Sequence, residues 1–115
     1  MERKKYEQLM GKNGDEKSIL DYDFNMIAGK VIREKRQMLG YSLDTLSDKI
    51  GKLVSKQALS RYENGGARIK NNVFLAICYA LNCEPVDVYT EISSRYFEYL
   101  DKNMDNILKR IKDDK

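Results

Sequence analysis

Residues 54–65 read Val54-Ser55-Lys56-Gln57-Ala58-Leu59-Ser60-Arg61-Tyr62-Glu63-Asn64-Gly65, and their spacing decides the fold. Ser55 is a residue type that caps a helix N-terminus through its side-chain oxygen. Asn64-Gly65-Gly66 is a helix stop followed by a loop. On a wheel at about 100° per residue, Lys56, Gln57, Ser60, Arg61 and Asn64 share an arc of about 140°. Ala58, Leu59 and Tyr62 fall opposite, and Glu63 lies at the boundary. One side is built to be buried, and the other offers long basic or neutral donors and acceptors. Gln can bond adenine through two atoms at once and Arg can do the same with guanine, each pair discriminating by about 1–3 kcal/mol. An ordinary solvated helix face has a similar composition, so the surrounding sequence must decide.

Upstream, Ile27, Val31, Ile32, Met38 and Leu39 recur at helical spacing from Met26 onward, with charged residues between them. Gly40 stops that helix. Ser42 caps a second, short helix with Leu43, Leu46 and Ile50 on one side, ending at Gly51. Downstream, Val73, Phe74, Ile77, Ala80 and Leu81 form the apolar stripe of a fourth helix. Pro85 suits the first turn of a fifth, which uses Val86, Tyr89 and Ile92. Apolar and polar residues nowhere alternate with period two. The expected class is all-α: five short helices across residues 26–92, followed by a further amphipathic helix.

Charge is distributed unevenly. The 115-residue chain carries +3 overall, but residues 26–70 hold ten Lys/Arg against four Asp/Glu. A basic block of this kind attracts phosphate backbones. Enzymatic chemistry finds little support: there is no histidine, no Gly-rich phosphate loop and no nucleophile elbow. The two cysteines, Cys78 and Cys83, read as small buried residues rather than metal ligands, so no metal and no cofactor is expected. Without an apolar run of about 18 residues or an apolar N-terminal stretch, neither a membrane span nor a signal peptide is expected. A cytoplasmic, nucleoid-associated location follows as an expectation.

At this point the residues match a pattern. Ile27–Tyr89 resembles the lambda-repressor-like helix-turn-helix proteins of the Cro/cI, or XRE, type. The carrying residues are Ile32-Arg33 to Arg36-x-x-x-Gly40, Ser42-Leu43-x-x-Leu46-Ser47-x-x-Ile50-Gly51, the 54–65 stretch quoted above, and Ile77-x-x-Ala80-Leu81. The resemblance implies that Lys56, Gln57 and Arg61 read bases, with Ser60 a further candidate. It implies that Ser42, Thr45, Ser55, Asn64, Arg68 and Lys70 contact the DNA backbone. It also implies a structural salt bridge between Arg36 and Glu63, which makes Glu63 scaffold rather than reader. The sequence departs from the family at two points. Three residues, Lys52-Leu53-Val54, separate Gly51 from Ser55 where one is typical, and Leu43 stands where Gln is common. One backbone contact is then either lost or supplied by Thr45 or Lys49.

The flanks complete the picture. Residues 1–25 are charged and interrupted by Gly11 and Gly14, and read as a flexible or weakly docked arm. In residues 93–115, Phe97, Leu100, Met104, Ile107 and Ile111 are spaced 3, 4, 3 and 4, an a/d seam over about two heptads. That seam could pack on its own domain, join a second copy, or hold another protein. The expected function is a sequence-specific double-stranded DNA-binding regulator, a repressor acting as a homodimer. The alternative is an antitoxin-like or adaptor module whose last helix binds a protein partner.

Overall fold

The computed structural model describes residues 19–113, with side chains from Asp23 onward. The expected arm therefore lies, for residues 1–18, outside the described residues. Among the described residues the elements are all helical: α1 (Ile19–Met38), α2 (Leu43–Lys49), α3 (Lys56–Glu63), α4 (Asn71–Ala80) and α5 (Pro85–Asp113). None is long and apolar enough to cross a membrane.

Apolar side chains from α1 to α4 and the turn after α4 meet in one cluster of Ile32, Leu46, Leu59, Val73, Ile77 and Leu81. Its most enclosed members, Leu46 and Ile77, are fully buried. A second cluster, Ala28, Val31, Cys78, Val88 and Ile92, joins α1 and α4 to α5. Phe74 packs against both. Burial pushes the Cys78 thiol up to about 11, so it sits in the core as a neutral, unreactive group.

Two boundaries differ from the sequence reading. The first helix begins at Ile19 rather than Met26, so residues 19–25 of the expected arm are helical. The cause is distant in sequence. Asp23 is buried, and its Oδ2 accepts from Tyr99 Oη at 2.7 Å and Arg110 Nη2 at 2.9 Å, both on α5. The expected break near Ser93 is also absent, and α5 runs unbroken for 29 residues. Contacts with α1 span the position where a break was expected. Lys35 pairs with Glu91 at 2.9 Å before it, and Arg95 pairs with Glu34 at 2.8 Å after it. Ser93 is accommodated by donating its hydroxyl back to the Thr90 carbonyl at 3.1 Å.

The crossing of α1 over α3 depends on Gly29. A Cβ there would run into the carbonyl oxygens of Tyr62 and Glu63. Only a residue without a side chain allows the two backbones to approach so closely. Gly29→Ala should therefore destabilise the fold by about 1–3 kcal/mol through overpacking, measured as a lower urea midpoint. An unchanged midpoint would mean that the crossing is not tight.

Candidate nucleic-acid interface

The interface is built around α2, α3 and the segments on either side of α3. Ser42 caps α2: its Oγ accepts from the Thr45 backbone N–H at 3.0 Å. The same hydroxyl donates to Thr45 Oγ1 at 2.9 Å, which leaves the Thr45 hydroxyl proton free to donate outward. Ser55 caps α3 in the same way, accepting from Ala58 N–H at 3.1 Å.

The long connection between the two helices is held locally. Lys52 adopts a left-handed conformation, φ 57°, and its N–H donates to the Ser47 carbonyl at 2.8 Å. The Ser47 hydroxyl donates to the Val54 carbonyl at 2.8 Å. Ser47 thus binds both ends of the inserted Lys52-Leu53-Val54 segment, and the extra length is taken up as a compact turn.

On α3, Leu59 is buried, Ala58 and Tyr62 are half-buried, and Lys56, Gln57 and Arg61 are exposed. Ser60 is half-buried at the edge of the exposed side. Lys56 Nζ lies 3.5 Å from Asp44 Oδ2 on α2. Both partners are exposed, so this pair is weak and easily exchanged for another anion. Asp44 carries no local sign of this contact in the sequence, since eleven residues, a turn among them, separate it from Lys56.

Glu63 faces inward. Its carboxylate receives two parallel bonds from Arg36 on α1, Nε to Oε2 at 2.7 Å and Nη2 to Oε1 at 2.9 Å. The third guanidinium nitrogen, Nη1, donates to the Tyr41 carbonyl at 2.7 Å. The Arg36 and Glu63 side chains are only 11% and 5% exposed. Bonding to Glu63 raises the already high pKa of Arg36, so the guanidinium stays charged.

Past α3, Gly65 takes φ 75°, and a Cβ there would also strike Met26 on α1. Gly66 N–H closes the helix end on the Arg61 carbonyl at 2.8 Å. The chain then leads through Arg68 to Lys70, both exposed, at the start of α4. Asn64 is exposed at the C-terminal end of α3. Arg61 and Lys56 on α3 and Arg68 and Lys70 on the loop supply exposed cations on and just beyond α3.

The C-terminal seam is divided. Leu100 and Ile107 are buried within the chain, Met104 and Ile111 are half-buried, and Phe97 is 72% exposed. These five residues therefore do not form one open stripe.

Comparison with known proteins agrees with this geometry. Residues 32–88 match a helix-turn-helix family model. Two crystal structures of the clp gene regulator ClgR from Corynebacterium glutamicum are similar. One has a TM-score of 0.57 and 25% identity over 63% of this chain and 91% of that one. The other has a TM-score of 0.61 and 22% identity over 75% of this chain and 90% of that one. No curated protein sequence matches. Through residues 32–88 the chain belongs to the helix-turn-helix family of the Cro/cI, or XRE, type, an all-α family of DNA-binding domains.

Proposed function

We propose that this chain is a sequence-specific transcriptional regulator that reads the major groove with α3 and represses by occluding a promoter as a dimer. The observation that carries this reading is the exposed triad Lys56, Gln57 and Arg61 on a helix whose opposite side is anchored by Leu59 and Glu63. Lys56 and Gln57 occupy the first turn, the end that a recognition helix inserts into the groove. Thr45 and Ser55 flank that end as phosphate partners, with Ser42 orienting the Thr45 hydroxyl, while Asn64, Arg68 and Lys70 take the same role beyond the other end of α3. The ClgR structures are of a gene regulator, which supports the same role here.

A single domain of this size covers one half-site, and two-fold pairing places a second α3 one helical turn of DNA away, about 34–36 Å. The exposed apolar residues Val86 and Phe97 lie about three turns apart on the same side of α5. They provide a surface for the second copy that does not disturb the buried Leu100 and Ile107. Selection of bound sequences from a random DNA pool, with mass measured by light scattering, tests the whole proposal. The expected result is a dimer and a two-fold symmetric site, whereas a monomer on an asymmetric site would overturn the dimeric reading.

Individual residues separate reading from gripping. Arg61→Ala should weaken binding to the selected site by about 1–3 kcal/mol and leave binding to random DNA nearly unchanged. Equal loss on both would remove Arg61 from the reading set. Lys70→Ala should weaken binding to all sequences alike and lower the slope of log affinity against log salt by about one. Fluorescence anisotropy across a salt series measures both variants.

Glu63 should behave as scaffold. Glu63→Ala leaves a buried Arg36 without its partner and should cost about 3–5 kcal/mol of stability. Replacing both together, Arg36→Met with Glu63→Leu, should cost far less. Urea denaturation of the three variants decides, and a stable Glu63→Ala protein that fails only on DNA would make Glu63 a reader instead.

A further inference from the structure

A cleft of about 500 Å³ opens between α1, the loop after α3, α4 and α5. Its size falls within the roughly 300–1,000 Å³ range of small-molecule sites, whereas close-packed cores keep few voids larger than a water. Its walls are apolar and largely aromatic: Phe24 from α1, Phe74 from α4, and Tyr89 and Ile92 from α5. The cleft borders both core clusters, because Phe74 packs against each of them. Its polar rim includes Arg68 and Lys70. No acidic side chain is among the described residues that line it. Aromatic walls with two cations and no carboxylate suit one chemical class, a small organic anion with an aromatic body.

We infer that this cleft binds an aromatic carboxylate or a similar aromatic anion, and that its occupation weakens DNA binding. The rings would stack against Phe24, Phe74 and Tyr89 while the anionic group turns to Arg68 and Lys70. Those two cations also belong to the proposed phosphate contacts, so the coupling rests on the DNA reading above. A bound carboxylate and a DNA phosphate compete for the same two side chains. The ligand would therefore act as an inducer without a separate sensing domain.

The test uses the full chain. Anilinonaphthalene sulfonate and naphthylacetate serve as anionic probes, and naphthylethanol serves as the neutral counterpart. Binding is followed by fluorescence and calorimetry without DNA, then by anisotropy on the selected site. The expected result is saturable binding of one probe per chain, with the neutral analogue at least about tenfold weaker, as is the anion on Arg68→Gln. Asn25→Trp, on the wall contributed by α1, should block the probe while leaving DNA affinity in place. Circular dichroism confirms that each variant is folded. Saturating naphthylacetate should lower DNA affinity about fivefold or more. Absence of saturable binding, equal binding of the neutral analogue, or undiminished binding to folded Asn25→Trp overturns the site. Binding that leaves DNA affinity unchanged overturns the coupling. If probes bind as expected but the chain holds no DNA sequence, the site stands and the DNA reading fails.

Discussion

The ion pair between Arg36 and Glu63 is the constraint on which the rest of the interface depends. It ties α1 to the last residue of α3 and, through the Tyr41 carbonyl, to the turn that starts α2. Three elements are thus fixed by one guanidinium. Burying two charges costs several kcal/mol per ion before their attraction is counted. Such a pair therefore contributes more to a unique arrangement than to net stability. It has a second effect on electrostatics. A carboxylate pointing outward at the end of α3 would repel an approaching phosphate, and the Arg36 fork turns Glu63 inward and compensates its charge. The exposed charge on α3 itself is then that of Lys56 and Arg61 alone.

Most of the domain could be read from the sequence because its signals are local. The caps Ser42 and Ser55, the stops Gly40 and Gly65, and the stripes around Leu46, Leu59 and Ile77 all act within one or two helical turns. The division of α3 into an exposed face and a buried face followed from the 3.6-residue period alone, with Glu63 at the boundary. What could not be read depends on contacts between distant residues. Asp23 gives no local sign that its partners lie 76 and 87 residues away, so the start of α1 was placed too late. The continuity of α5 is maintained by Glu34 and Lys35 on another helix, a contact between distant residues that the local pattern around residue 93 does not carry. Gly29 carried a readable hint, since an isolated glycine inside a helical pattern often marks close approach. Only the position of the Tyr62 and Glu63 carbonyls makes that approach concrete.

The C-terminal seam shows a different limit. Spacing of 3 and 4 identifies which residues share a face, but not what covers that face. Leu100 and Ile107 satisfy the pattern by being buried at home, while Phe97 meets the same pattern and stays open. A heptad reading alone assigns them one role, and packing assigns them two.

The unbroken α5 has a mechanical consequence. At 1.5 Å per residue its 29 residues form a rod about 43 Å long. One half is bolted to α1 by the Glu34, Lys35, Glu91 and Arg95 network. The far end is tied back to the start of α1 through Asp23 and Arg110. A rod fastened to one neighbour at two separated points can pivot about neither, so α1 and α5 are held as a single rigid pair. The helix is a brace: it stiffens α1 along its length, and through the Arg36–Glu63 pair that stiffness reaches the end of α3.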